Sequence, residues 1–486
     1  MKLSLVETKV SSLFINGEWR DAISGQTDTV VNPATLEPIS EVAYGGETET
    51  HNAIKAARDA FPEWSSMSPR KRSRILYKAH QLMFDNLDRL AEILTTEQGK
   101  PFKEARGEVK SAASFLLWYA EEANRVYGEW IPSSQTQKRI LVVPQPVGVV
   151  GAITPWNFPS SMITRKIGPA LAAGCTVVLK PAPETPLSAI EIVKIFEKAG
   201  LPKGVLNLVT GDAEAIGNAM LTNQDVRLIT FTGSTEVGKH LMRESADHVK
   251  KLSLELGGHA PIIVFDDADL DIAAKMTLAS KYRNAGQTCI CANRVYVHES
   301  VYDKFSQKLL EHVAALSMGD GTEPDTDIGP LINEQALQKV NDHLEDAVSH
   351  GAEVLYGDSD WQSDLGGYFF PPTVVKNVTN NMKVMNEETF GPLLPLQVFN
   401  DEDDVIAQAN DTVYGLAAYM FSENLDRSLR VMEKLDYGIV GVNDVFPATA
   451  EAPFGGIKQS GMGKEGGHHG IHEFVEQKYV SIGMHN

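Results

Sequence analysis

Between residues 147 and 256 the chain alternates short β-branched runs with runs of helical period. Val147-Gly148-Val149-Val150-Gly151-Ala152-Ile153 reads as a buried strand. The pattern then predicts a helix over 161–172, a strand over 176–179 and a helix over 187–198. A strand over 205–209, a helix over 213–221, a strand over 227–231, a helix over 235–245 and a strand over 251–256 follow. Few folds accept such a pattern. Strands that are apolar throughout must be covered on both faces, and intervening helices cover a parallel sheet. Ligands of such sheets sit beyond the carboxyl ends of the strands.

A second alternating block runs over 258–455. Pro261-Ile262-Ile263-Val264-Phe265 and Arg294-Val295-Tyr296-Val297 read as strands, and 301–316 and 333–350 as helices, which predicts a second α/β unit. The first 125 residues read as mostly helical, with amphipathic runs over 68–94 and 107–126. Arg139-Ile140-Leu141-Val142-Val143 and Phe474-Val475-Glu476-Gln477-Lys478-Tyr479-Val480 are candidates for a projecting sheet that pairs subunits. A chain of 486 residues exceeds one ordinary core, so several units are expected.

A formal net charge of -20 argues against a nucleic-acid or anionic-membrane partner. Three scattered cysteines make no disulfide framework and point to a reducing compartment, hence the cytoplasm. Met1-Lys2-Leu3-Ser4-Leu5-Val6-Glu7 lacks the pattern of a secretory signal. The uncharged stretch 140–164 carries Pro144, Pro146, Pro155 and Pro159, which break a membrane-spanning helix.

Two of the cysteines stand one residue apart in Gly286-Gln287-Thr288-Cys289-Ile290-Cys291, after a helix-like run over 272–283. A thiol there is either an exposed nucleophile or a small buried hydrophobe. Thr154-Pro155-Trp156-Asn157-Phe158-Pro159 follows the first strand of the pattern. Asn157 there is a suitable oxyanion donor, or an amide that satisfies a turn. Lys180-Pro181-Ala182-Pro183-Glu184 follows the next strand; its lysine either holds a ribose hydroxyl or is an exposed loop charge. Phe231-Thr232-Gly233-Ser234 is a strand–turn–helix junction, which suits a phosphate or an ordinary helix cap. Leu254-Glu255-Leu256-Gly257-Gly258 puts one acid at a strand end, as a base or as a turn-flanking charge. Glu387-Glu388-Thr389-Phe390-Gly391-Pro392 repeats the pairing of an acid with an aromatic and a turn.

Two motifs are set aside. Gly461-Met462-Gly463-Lys464-Glu465-Gly466 matches G-x-G-x-x-G, but it follows no predicted strand and leaves too little chain for a βαβ unit. It is read as a flexible surface segment. His468-His469-Gly470-Ile471-His472 has no evident fourth ligand and is read as a solvated cluster, with no metal.

Taken together and in order, these motifs make the chain resemble the aldehyde dehydrogenase superfamily. The likeness runs from Phe14-Ile15-Asn16-Gly17-Glu18-Trp19 to Pro453-Phe454-Gly455-Gly456-Ile457-Lys458-Gln459-Ser460-Gly461. The resemblance implies a Rossmann-like dinucleotide-binding domain over 1–125 and 147–257, a catalytic α/β domain over 258–455 and a small β oligomerisation element from 126–146 and 456–486. It implies a homodimer or homotetramer. Cys289 would be the nucleophile, Asn157 the oxyanion donor and Glu255 the base that activates water. Thr154, Pro155, Trp156, Lys180, Pro183, Gly233, Ser234, Gly257, Glu388 and Phe390 would hold NAD or NADP. Many relatives that prefer NAD have an acid three residues after the lysine, where Pro183 stands here, with Glu184 one later. Its absence relaxes selection against a 2′-phosphate, so both cofactors are expected to serve.

Tyr282-Arg283-Asn284-Ala285-Gly286-Gln287-Thr288-Cys289 and Met162-Ile163-Thr164-Arg165-Lys166 look like the succinate-semialdehyde dehydrogenase branch. In that branch Arg165 and Arg283 would bind the substrate's distal carboxylate. A serine of the branch is replaced at about Ala448, with Thr449 as a substitute donor. 2-Oxoglutarate semialdehyde and glutarate semialdehyde are the competing substrates. An idle structural member of the family and a coenzyme A-acylating enzyme are the other readings, and an intact Glu255 favours hydrolysis. The resemblance also raises a reversible disulfide between Cys291 and Cys289 as a redox switch.

Overall fold

The computed structural model describes residues 9–10, 12–357 and 365–484. The segment 1–7, read above for a secretory signal, lies outside the described residues.

An eight-stranded sheet runs in the order Gly461–Met462, Lys251–Glu255, Val226–Thr232, Val149–Ile153, Thr176–Lys180, Leu206–Leu208, Leu13–Ile15, Glu18–Arg20. The five strands from Lys251–Glu255 to Leu206–Leu208 pair in parallel. Each is joined to the next in sequence by a helix: Pro159–Ala173, Pro186–Ala199, Ala213–Thr222 or Thr235–Ser245. The buried runs noted in the sequence, such as Thr176–Lys180, are covered on both faces as their composition requires. The strand order reverses between Val149–Ile153 and Val226–Thr232.

A seven-stranded sheet carries Ala260–Val264, Ala292–His298, Thr373–Lys376, Leu393–Phe399, Ala417–Phe421 and Ile439–Val442 in parallel, with Glu353–Tyr356 antiparallel at one edge. It has its own apolar core, built on Ile262, Ile263, Val295, Leu394 and Tyr419. A third sheet pairs Val475–Gly483 with Lys138–Pro146 and the latter with Glu129–Ile131, all antiparallel. Its outer aromatics Trp130 and Tyr479 are 64% and 59% exposed. Among the described residues no helix is long and apolar enough to cross a membrane.

Three readings need correction. The first 125 residues are less helical than expected: the strands Leu13–Ile15, Glu18–Arg20, Thr27–Val31 and Pro38–Ala43 precede the first helix, Glu47–Ser66. Such short strands pair largely with near neighbours, Leu13–Ile15 with Glu18–Arg20 and Thr27–Val31 with Pro38–Ala43, and runs this short are too brief for periodicity to register. The amphipathic run over 68–94 is two helices, Pro69–Asp85 and Leu87–Gln98, which meet at Asn86, where the backbone leaves helical geometry at φ -111° and ψ 19° and the side chain donates to the Leu82 carbonyl at 2.8 Å. The segment after Ser460 is no flexible surface: Gly461–Met462 pairs with Lys251–Glu255, and Glu465 is buried against Lys166 at 2.5 Å.

Candidate active site

At the reversal of strand order, the loops that leave the two strands line one cavity. Pro155, Trp156 and Asn157 follow Val149–Ile153, and Gly233 and Ser234 follow Val226–Thr232. With Gly257, Glu388 and Phe390 they border a space of about 380 Å³. A second cavity of about 290 Å³ is lined by Glu104, Phe158, Ser161, Arg165, Arg283, Ala448 and Phe454, among others. Cys289 and Met162 belong to both walls, so one thiol is reached from two sides.

The thiol's loop follows the helix Leu270–Tyr282. Asn284 and Ala285 both sit at φ 52°, and Gly286 at φ 75°. A methyl at Gly286 would overlap the Gly391 carbonyl oxygen, which is the reason for glycine there. Non-glycine residues in the left-handed region are held by surroundings. Here Asn284 N donates to Glu104 Oε2 at 2.8 Å and Asn284 Nδ2 to the Asn157 carbonyl at 3.0 Å. Gln287 Nε2 donates to Asn284 O at 3.1 Å, and Gln287 Oε1 accepts from Ile332 N at 2.9 Å. Gln287 in the motif is thus a structural clamp beneath the thiol. Burial pushes the Cys289 thiol up to about 12; the Glu388 carboxylate adds to this and Arg165 opposes it.

Asn157 is buried, and its Nδ2 donates to the Gln287 carbonyl at 3.0 Å, which leaves the second amide hydrogen unspent. The Asn157 backbone carbonyl accepts from Lys100 Nζ at 2.7 Å. Lys100 is itself paired with Glu108 at 2.5 Å, and Glu108 accepts the N–H groups of Ser160 and Ser161 at the start of the helix Pro159–Ala173. Neither Lys100, Glu104 nor Glu108 was singled out in the sequence. They lie far from the motifs they support: Glu108 falls in the amphipathic run over 107–126, and Lys100 and Glu104 in the stretch between the two runs.

Glu255 ends its strand, is buried and has no hydrogen-bond partner on either carboxyl oxygen. Burial holds it well above the usual carboxylate range, and the nearby Glu465 charge pushes the same way. It lies on neither cavity wall; a methyl at Gly455 would stand 2.6 Å from its Oε1. Gly455 therefore keeps open the space beside the Glu255 carboxyl.

The first cavity suits a dinucleotide. Ser234 caps the helix Thr235–Ser245 by accepting from Val237 N at 3.3 Å, so free backbone N–H groups of the first turn face the crevice end of the sheet. Trp156 and Phe390 meet edge to face at 5.5 Å and supply an apolar wall. Phe390 does so at φ 57°. Glu388 accepts from Gly258 N at 2.9 Å and is pushed up to about 7 by burial. Gly257 leaves room for it: a methyl there would be 2.9 Å from Glu388 Oε2. Thr154, Lys180 and Pro183 are not on this wall. Thr154 N donates to Lys180 O at 3.0 Å. Lys180 is buried at the end of its strand; burial holds it below its usual range, and Glu184 and Asp212 pull back. It is no exposed loop charge.

In the second cavity two guanidinium groups keep unspent donors. Arg165 is 4% exposed, stacked between Phe115 and Phe454 at 4.8 and 4.5 Å, and its Nε and Nη1 have no hydrogen-bond partner. Its one ion pair is a long one, 3.9 Å to Glu465. Arg283 lies over the Phe158 ring at 5.2 Å and has no ion pair among the described residues. Ala448 lines this cavity, but Thr449 does not: it is exposed and its hydroxyl bonds Glu451 instead. Thr449 is thus no replacement for the missing serine, because its side chain points out of the site. Cys291 is buried, with its thiol donating to the Gly286 carbonyl at 3.2 Å, and both it and Cys289 are free thiols. His468 is tied to Glu122 at 2.7 Å and to His472 at 3.0 Å, and no described group of His, Cys, Asp and Glu is arranged to hold a metal ion.

The chain matches the aldehyde dehydrogenase family over residues 19–480. It is 52% identical over 484 residues, covering 100% of both chains, to the NADP(+) succinate-semialdehyde dehydrogenase of Escherichia coli strain K12. It is 53% identical to the glutarate-semialdehyde dehydrogenase of Pseudomonas putida, covering 97% of each. The crystal structure of an NADP-dependent enzyme from E. coli superposes with a TM-score of 0.96 at 52% identity, over 98% of each chain.

Proposed function

This chain belongs to the aldehyde dehydrogenase family, and from that premise we propose that it oxidises a carboxylated semialdehyde, foremost succinate semialdehyde, to the acid. The observation that carries this is the pair of arginines with unspent donors in a cavity that shares its wall with Cys289. A buried guanidinium without a partner is costly, and a substrate carboxylate supplies the missing acceptor. The relatives named for succinate and glutarate semialdehyde support the same class. Ala448 gives no third donor, so glutarate semialdehyde remains the second substrate to test.

In this reading the Cys289 thiolate attacks the aldehyde carbon from the junction of the two cavities. The developing alkoxide takes the free Asn157 amide hydrogen and the Cys289 backbone N–H. NAD or NADP, when bound, would supply the hydride acceptor, and Trp156, Gly233, Ser234, Glu388 and Phe390 would hold it in the first cavity. The resulting thioester on Cys289 is hydrolysed by water that Glu255 deprotonates. Glu255 must turn toward the thiol to do so, through the space beside Gly455. Water as acceptor distinguishes this from coenzyme A acylation. Residues 1–125 and 147–257 would serve the cofactor, 258–455 the nucleophile, and 126–146 with 456–486 the pairing of subunits in a cytoplasmic homodimer or homotetramer.

A panel of succinate, glutarate and 2-oxoglutarate semialdehydes with both cofactors tests the reading. Highest kcat/KM is expected for succinate semialdehyde, with NAD and NADP both used. Activity confined to uncharged aliphatic aldehydes overturns the arginine pocket, and a large preference for NAD overturns the inference drawn from Pro183.

A further inference from the structure

The second cavity holds one group that binding of an anion does not call for, a carboxylate with no cation in contact. Glu104, on the helix Phe102–Glu122, lines it together with Arg165 and Arg283. Its neighbour Glu108 is already spent on Lys100 and on two backbone N–H groups. Glu104 makes no ion pair among the described residues; its one hydrogen bond is from the N–H of Asn284, the residue directly after Arg283. That bond ties the helix to the strained turn that carries both Arg283 and, five residues on from Asn284, the Cys289 thiol.

Resting on the carboxylated-aldehyde reading above, we propose that Glu104 is a specificity-determining residue: its carboxylate balances Arg283 while the cavity is empty, and it takes up a proton when the substrate's carboxylate arrives. A second carboxylate brought into the same cavity raises the proton affinity of the first, even with Arg165 and Arg283 both on its wall. Burial already pushes Glu104 up from the usual range, with Lys100 and then Arg283 pulling back. The groups that face it are Lys103 and Glu108 on its own helix, Lys100 just before that helix, Arg283 on the thiol's turn, and Arg165 and Cys289 across the cavity. The proton comes from solvent, and no bond in Glu104 changes other than its own O–H.

The test compares KM for succinate semialdehyde with KM for butanal, which has the same chain length and no acid group. It runs from about pH 6 to about pH 8.5, in the wild type and in Glu104→Gln. Titration of the thiol and of Glu255 affects both aldehydes and cancels in the ratio. In the wild type the ratio of the acid's KM to butanal's is expected to rise about three- to tenfold across the range. In Glu104→Gln, whose amide oxygen still accepts the Asn284 N–H, the ratio is expected to stay flat. An equal slope in both enzymes overturns the role of Glu104. A wild type that prefers butanal at every pH overturns the carboxylated-aldehyde reading instead. A second measurement needs no variant: calorimetric binding of succinate to the wild type in two buffers of different ionisation heat is expected to show net proton uptake, and none at all overturns the proposal.

Discussion

The Cys289 thiol stands where its anion is disfavoured, since burial and the Glu388 charge both push it up, to about 12. The reactive thiolate is then a small fraction throughout the neutral range and grows with every step in pH. Alkylation of the free enzyme by iodoacetamide is therefore expected to quicken about tenfold per pH unit from about pH 6 to about pH 9. A rate that levels off below pH 8 would show that the resting thiol is already ionised. The Asn157 amide offers one hydrogen to the Gln287 carbonyl and leaves the other unspent. Asn157→Ala is expected to lower kcat by about 10²- to 10³-fold with the cofactor's Kd little changed. Undiminished turnover in that variant removes Asn157 from the mechanism. At this scale much was legible. Cys289, Asn157, Glu255 and Glu388 are each a reactive or polar group close in sequence to glycine, proline or an aromatic, and such juxtapositions survive in one dimension. Thr449 was not legible, because a hydroxyl's usefulness depends on the direction of its side chain, and here that is outward.

Among the elements, the turn between Leu270–Tyr282 and Ala292–His298 is the most constrained, with Asn284, Ala285 and Gly286 in succession at positive φ. Its geometry is imposed from outside, by Glu104, Asn157, Gln287 and the Gly391 backbone. Gly286→Ala puts a methyl against the Gly391 carbonyl oxygen and strains the backbone. A loss of about 2–4 kcal/mol in stability is expected by denaturant unfolding, with alkylation of Cys289 altered in rate. A variant as stable as the wild type would mean that the turn can relax. The core strands and helices followed from periodicity almost to the residue, as with Thr235–Ser245. The strands Leu13–Ile15 and Gly461–Met462 did not. Leu13–Ile15 is held between the adjacent Glu18–Arg20 and the distant Leu206–Leu208, and Gly461–Met462 pairs with the distant Lys251–Glu255.

For the whole molecule, the sheet of Val475–Gly483, Lys138–Pro146 and Glu129–Ile131 leaves Trp130 and Tyr479 largely in solvent. The register puts them on opposite faces of the sheet, Trp130 level with Leu141 and Tyr479 with Val142, so the proposed subunit contact is tested on both faces at once. The double variant Trp130→Glu, Tyr479→Glu is expected to shift the particle to a smaller mass by light scattering, and an unchanged mass places the contact elsewhere. What the sequence determined by itself is the layering of two largely parallel sheets; the roles expected of the thiol, the amide and the acids came from the family resemblance that their motifs carry together. Hydrophobic period and short-range turn chemistry act between near neighbours, so they can be read without coordinates. Only the tertiary structure decided that Arg165 and Arg283 share a wall with Glu104, that Cys289 is open to two cavities, and that Glu255 is turned away from both. Those facts depend on which buried charges find partners, and the partners come from strands and helices hundreds of residues apart, brought together only when the two sheets close on one another.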